Sequence, residues 1–212
     1  MIKAIFFDVA NTLLEKPDLM NGIQESLETF DHHFDKATIA LKHKKLSENT
    51  LFPDKTTKEF YDSFNKKLIL TLGVKANPNL VREIYQRSIG LNWRPYPDLN
   101  IVYDLKLPLG IGSNWDLSLS DKLQTYFGSR FNWILGSEEL GVKKPHPDFF
   151  EKMIEISGYS ATELLFVGDS MRLDILPAQV AGINTLLIDR INFYADYQGA
   201  KINSMDQIVD FI

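Results

Sequence analysis

The run Ile2-Lys3-Ala4-Ile5-Phe6-Phe7-Asp8-Val9-Ala10-Asn11-Thr12-Leu13, residues 2–13, decides how the rest of the chain is read. Its first part is apolar except for Lys3, and Asp8 ends it. A short apolar run without polar alternation reads as a strand buried on both faces, the habit of a parallel sheet. A carboxylate placed directly after such a strand falls at the carboxyl edge of the sheet, where open α/β folds bind ligands. The run is broken too soon to be a signal core or a membrane span.

The same texture returns further along. Leu107–Ile111, Trp133–Leu135, Leu164–Val167 and Thr185–Ile188 are short apolar runs bounded by Gly, Ser, Asn or Asp. Helix-period segments lie between them. Pro147–Ser157 is the clearest, with Pro147 suited to the first turn and Gly158 as a stop. Asp174–Ala181 is a second, with Asp174 a plausible N-cap and Gly182 after the end. Strand–helix alternation predicts right-handed βαβ units. The expected class is α/β, a Rossmann-like three-layer parallel sheet core.

Residues 15–93 differ, and show no strand pattern. Leu19, Met20, Ile23, Leu27 and Phe30 share one helical stripe, and Phe60, Phe64 and Leu68 share another that Gly73 ends. Asn77-Pro78 opens a third, which Gly90 closes, and Asp35–Asn49 is a weaker fourth. The expected organisation is a core of residues 1–14 and 94–212 with an all-helical insertion of residues 15–93. The aromatic residues Phe60, Tyr61 and Phe64 read first as the interior of that bundle.

Composition narrows the chemistry. The chain has 212 residues, a formal net charge of -5 and no cysteine. Disulfides, thiolate metal sites and a cysteine nucleophile are therefore excluded. The acidic balance gives no field for nucleic acid or anionic lipid, and no run reaches spanning length, so a cytoplasmic location is expected. The insertion is close to charge balance and the remainder carries the acidic excess, which suits an anionic substrate. Oligomeric state leaves no mark in the sequence.

Three strands end in a polar side chain: Asp8, then Ser113-Asn114, then Asp169. Two carboxylates meeting at one edge repel unless a cation or a shared proton lies between them. With no cysteine and four histidines, oxygen coordination is the natural choice, which points to Mg²⁺. Lys144, in the turn before the Pro147 helix, can bring a positive charge to the same edge. Taken singly, each residue has a plainer reading, as turn residue, loop serine, solvated lysine or helix cap.

Together the motifs resemble the haloacid dehalogenase superfamily. Asp8-Val9-Ala10-Asn11-Thr12-Leu13 is similar to its first motif and Gly112-Ser113-Asn114 to its second. Lys144-Pro145 resembles the third, and Gly168-Asp169-Ser170 with Asp174 the fourth. The helical insertion resembles the family's C1-type cap. The resemblance implies a small phosphorylated substrate and a two-step reaction in which Asp8 attacks phosphorus and water then hydrolyses the aspartyl-phosphate. It implies Mg²⁺ on the Asp8 carboxylate, the Ala10 carbonyl and the Asp169 carboxylate. Ser113, Asn114 and Lys144 would bind the phosphoryl group, and Asp174 would orient Lys144 or a metal water.

One position departs from that pattern. Two residues after the nucleophile, the family's phosphatases carry a second Asp that protonates the leaving oxygen; here it is Ala10. Such proton transfer is worth roughly 10²–10⁴-fold, about 3–5 kcal/mol of barrier. The implied outcomes are a preference for good leaving groups, a replacement acid in the cap (His32, His33 or His43), or turnover that is slow or absent. The last would make the chain a binding or regulatory protein. Phosphonoacetaldehyde hydrolases also carry Ala there and use a cap lysine. Lysines such as Lys44 and Lys45 are present, but no glycine lies between Gly22 and Gly73 to form that family's substrate loop. The 2-haloacid dehalogenases lack the Gly-Asp of the fourth motif, which this chain keeps.

Overall fold

The structure, a computed structural model, describes residues Met1–Ile212. Its strands in chain order are β1 (Ala4–Phe7), β2 (Leu14–Glu15), β3 (Arg94–Pro95), β4 (Leu109–Ser113), β5 (Trp133–Gly136), β6 (Leu164–Gly168), β7 (Asn184–Ile188) and β8 (Lys201–Ile202). Its α-helices are α1 (Leu19–Thr29), α2 (Lys36–Glu48), α3 (Lys58–Thr71), α4 (Pro78–Ser88), α5 (Asn100–Asp104), α6 (Leu119–Phe127), α7 (Ser137–Leu140), α8 (Pro147–Ser157) and α9 (Leu176–Val180). The chain divides into two compact units, Met1–Glu15 with Pro95–Ile212 and Lys16–Arg94. No helix is long and apolar enough to cross a membrane.

The first unit is built on a six-stranded sheet in the order β5-β4-β1-β6-β7-β8, with parallel pairing throughout. β1 is central and buried at every position. Phe7 lies opposite Ile111 of β4 on one side and Val167 of β6 on the other. Strands later in the chain extend the sheet from β1 in both directions, so the end of β1 is the switch point where a crevice opens. Alternation sends Ala4 and Phe6 to one face. There they join Leu164, Phe166, the α8 residues Phe149, Phe150 and Met153, and Ala178 of α9 in one apolar cluster. Burying each large side chain contributes about 1.5–3 kcal/mol. Gly110 is required by this packing, because a Cβ there would stand 2.3 Å from the Phe6 ring.

The second unit is four helices around one interior. Ile23 and Leu27 of α1, Ile39 of α2, Leu68 and Ile69 of α3, and Leu80 and Ile84 of α4 form its core. Asp35, Thr57 and Asn77 cap α2, α3 and α4 by accepting backbone N–H bonds. Gly22 lets α1 approach α4 closely, since a Cβ there would lie 3.2 Å from Arg87 Cβ.

Several elements differ from the sequence reading. The second core strand runs Leu109–Ser113 rather than Leu107–Ile111. Pro108 has no N–H to give the ladder, and it contributes only its carbonyl, which accepts from Ile5 N–H at 3.1 Å. Helix α6 was not anticipated, although Leu119, Leu123 and Phe127 recur at i, i+4 and i+8. Strand β8 is too short to leave a pattern. The segment after Gly168 begins earlier than Asp174: Ser170 is the cap, its hydroxyl accepting from Leu173 N–H at 3.0 Å, and Met171–Ile175 forms a π-helical turn leading into α9. Asp174 is therefore inside the turn, and its side chain is released for another task.

Candidate active site

Asp8 follows the last residue of β1, and its N–H donates to Val167 O at 2.9 Å. The turn beyond it uses two acceptors, and at one of them, Leu14 O, it takes Asn11 N–H at 2.7 Å. Val9 O receives the N–H groups of Thr12, Leu13 and Leu14 at 3.3, 2.9 and 2.9 Å. Asn11 takes the left-handed conformation, φ 60°, that closes this turn, a conformation short polar side chains tolerate. Ala10 stands in the turn and bridges to Leu14.

Around Asp8 the fold collects residues far apart in sequence. Ser113 ends β4 and donates its hydroxyl to Asp8 Oδ1 at 3.0 Å. Lys144 Nζ donates to the same Oδ1 at 2.7 Å and to Asp174 Oδ1 at 2.6 Å. Lys144 and Asp174 are each only 1% exposed, and Asp8 7%. Burial by itself lowers the pKa of a lysine, but the flanking Asp174 and Asp8 carboxylates outweigh it, and the net shift of Lys144 is upward. Lys144 is thus a fixed ammonium. Asp174 moves the other way: burial raises its pKa, Lys144 opposes, and the charges of Asp8 and Asp169 raise it further. Ser170 N–H donates to Asp174 Oδ2 at 3.0 Å, so both oxygens of Asp174 are engaged. Gly168 makes room for this arrangement, because a Cβ there would fall 2.5 Å from the Asp174 side chain.

Asn114 has a task that sequence reasoning missed. Its side-chain amide donates to Lys144 O at 2.9 Å and accepts from Lys144 N–H at 2.8 Å. The side chain thereby pins the lysine loop to the end of β4 and is committed there. The spacing of motifs does not reveal such a pairing, which spans 30 residues.

Asp8, Asp169 and Asp174 each place a carboxylate oxygen within 4.8 Å of the others. One buried ammonium does not balance three carboxylates so close together. An all-oxygen donor set of this charge fits a hard divalent cation.

The histidines proposed as replacement acids all lie in the helical unit. His33 is exposed beside Asp31, at 3.5 Å. His43 packs edge-on to Phe64, with ring centroids 5.2 Å apart. Burial, aided by the charge of Lys44, lowers its pKa to about 4, so it is neutral at pH 7 and holds no imidazolium proton to donate. Phe52, Phe60 and Phe64 form an aromatic cluster, with Phe52 centroids 4.9 and 5.4 Å from the other two.

The structure thus sets a buried carboxylate–lysine–carboxylate constellation at the switch point of a parallel sheet, where open α/β folds bind ligands. The chain belongs to the haloacid dehalogenase-like hydrolases, whose family model matches residues 2–182. Among similar proteins, the glyceraldehyde 3-phosphate phosphatase of Methanocaldococcus jannaschii is 25% identical, the alignment covering 100% of this chain and 97% of the relative. The phosphoglycolate phosphatase of Neisseria gonorrhoeae is 28% identical, covering 85% and 77%. In three dimensions the fold matches the HAD-hydrolase YfnB from Bacillus subtilis, solved bound to magnesium. The TM-score is 0.67 at 20% identity, covering 99% of this chain and 97% of that one. Family and relatives make this chain a hydrolase of the phosphatase type.

Proposed function

We propose that the chain hydrolyses small phosphorylated metabolites with Asp8 as nucleophile and Mg²⁺ as cofactor. The observation that carries this reading is the double hold on Asp8 Oδ1 by Ser113 and Lys144. Fixing one oxygen leaves the other, Oδ2, aimed from a set direction, and orientation of this kind supplies much of a phosphoryl-transfer rate. Asp8 then attacks phosphorus, the ester or anhydride oxygen leaves, and water hydrolyses the aspartyl-phosphate. Lys144 neutralises charge on the nucleophile and the phosphoryl oxygens, and Asp174 holds its ammonium in place. The Ser113 hydroxyl has one proton, which it gives to Asp8 Oδ1 before substrate binds and which is assigned to a phosphoryl oxygen in the complex, beside the Asn114 backbone N–H. Asp8, Asp169 and the Ala10 carbonyl would hold Mg²⁺, which supplies charge neutralisation as the phosphoryl group transfers. The helical unit Lys16–Arg94, inserted after the nucleophile strand, is assigned the role of a substrate-selecting cap.

Ala10 sets the substrate preference. Its methyl group can neither protonate a leaving alkoxide nor activate water, and His43, neutral at pH 7, has no imidazolium proton to give the leaving group. Acyl and aryl phosphates leave without that proton, whereas alkyl phosphates such as glyceraldehyde 3-phosphate and phosphoglycolate need it. Turnover of these two, of acetyl phosphate and of p-nitrophenyl phosphate is to be compared with Mg²⁺ and with EDTA. Asp8→Asn is expected to remove on the order of 10⁴-fold or more of the activity. Activity that survives in Asp8→Asn overturns the reading. Ala10→Asp is expected to raise the rate on the alkyl esters more than on the aryl ester, and equal gains would contradict the assigned defect. Ala10 also favours a second reading, a protein that binds phosphorylated ligands without turning them over, and robust turnover of either alkyl phosphate excludes it.

A further inference from the structure

The segment after β7 carries a cluster that the reaction described above does not use. Asp189 and Arg190 follow β7 at the same carboxyl edge that bears Asp8, Ser113 and Asp169, beyond the residues 2–182 matched by the family model. Arg190 donates from one terminal nitrogen to Thr12 O at 3.0 Å and from the other to Asp98 Oδ2 at 2.6 Å. Its guanidinium lies 3.7 Å from the centre of the Tyr96 ring. Asp98 is anchored in turn, accepting at the same oxygen from Ser204 Oγ at 2.9 Å and from Met205 N–H at 2.7 Å. Tyr96 N–H donates to Leu13 O at 3.1 Å. The turn that follows the nucleophile is therefore tied at two consecutive carbonyls, Thr12 and Leu13, to a rigid charged cluster.

We propose that Arg190, held by Asp98, is a positioning residue that fixes the Asp8–Leu13 turn and so the aim of the Asp8 carboxylate. A planar guanidinium can serve Asp98, Thr12 O and the Tyr96 face at once, and a lysine ammonium cannot reproduce that fork. Within the turn three N–H groups share Val9 O and Asn11 N–H donates to Leu14 O, while the Thr12 and Leu13 carbonyls are held from outside it. The same segment braces the fourth-motif turn. Asp189 accepts the N–H groups of Phe193 and Tyr194 at 2.7 Å each, and the Tyr194 hydroxyl accepts Met171 N–H at 3.3 Å.

This inference rests on Asp8 being the nucleophile, and its test separates the two claims. Hydrogen–deuterium exchange of the metal-free protein reads the turn without any turnover. Arg190→Met is expected to speed exchange at Thr12, Leu13 and Leu14 about tenfold or more and to leave β5 and α8 at the wild-type rate. With Mg²⁺ and substrate, kcat is expected to fall about 10–10²-fold, the scale of a small misplacement of a reacting group, with KM moved less than about threefold. Arg190→Lys, which keeps the charge, is expected to fall between wild type and Arg190→Met in both readouts. Asp98→Ala is expected to reproduce Arg190→Met, and the double variant to be no worse than either, as members of one unit behave. Unchanged exchange at residues 12–14, or exchange raised equally in β5 and α8, overturns the positioning role. A wild-type protein whose turnover does not depend on Asp8 overturns the proposed function, while the exchange result still judges Arg190.

Discussion

The carboxyl edge of the sheet and the helical unit use polar groups in opposite ways. At the edge, charged side chains are buried and their partners are distant in sequence: Ser113 and Lys144 reach Asp8 across 105 and 136 residues. In the helical unit the buried set is mostly apolar, with Ser26 and Asn65 its polar members. There ion pairs are often one helical turn apart, such as Lys44 with Glu48 at 2.9 Å and Arg87 with Glu83 at 2.7 Å. Local pairs on a helix surface contribute only a few tenths of a kcal/mol. The edge therefore depends on long-range electrostatics held by the fold, and the helical unit on apolar packing.

The largest effect should come from breaking the charge arrangement at the edge. Lys144→Met leaves Asp8 and Asp174 facing each other without their shared cation, and losing one member of a buried ion cluster costs about 3–5 kcal/mol. Urea unfolding in EDTA should show that loss, and added Mg²⁺ should restore part of it. A Lys144→Met protein as stable as wild type in EDTA would show that the edge does not depend on its buried charges.

Packing loss should dominate in the helical unit. Leu68 is fully buried, and Leu68→Ala is expected to cost about 2–5 kcal/mol, read as an earlier thermal transition with the Asp8 environment intact. If Leu68→Ala instead abolishes Mg²⁺ binding measured by calorimetry, the two units are energetically inseparable and the comparison fails.

His43 offers a smaller and pH-dependent probe. Its pKa is lowered in the folded protein from 6.5 to about 4, so the unfolded chain takes up the proton first on acidification. The associated stability is fully present above pH 6.5 and is lost as pH falls through that range toward 4. The loss should not exceed about 3.4 kcal/mol. His43→Gln should flatten the difference between pH 6.5 and 4, and an unchanged slope would place His43 in water.

The smallest expected change is at a helix cap. Asn77 accepts from Asn79 N–H at 2.9 Å ahead of Pro78. Asn77→Ala should cost about 1 kcal/mol and leave turnover unchanged.

Much of the fold was legible before any coordinates. Uninterrupted apolar runs identify strands buried on both faces, and stripes such as Leu19–Phe30 identify helices, because the two periodicities differ. The edge residues Asp8, Ser113 and Asp169 were legible for the same reason: each directly follows or ends an apolar run. That signal also marks Asp189 and Arg190 after Thr185–Ile188. The start of β4 was misplaced because Pro108 looks apolar yet cannot join the ladder. After Gly168, Asp174 and Ser170 are both good caps by residue type, and only the backbone makes Ser170 the cap, of the π-helical turn that leads into α9.

The sequence by itself determined the class of fold, the order of its central strands and main helices, and the polar residues that end those strands, since these follow from local periodicity and composition. Only the tertiary structure decided which of those residues meet. That Asn114 serves Lys144, that Asp174 shares an ammonium with Asp8, and that Arg190 holds Thr12 are consequences of strand order and crossover. Contacts across a hundred residues depend on how the sheet closes, which no local pattern encodes.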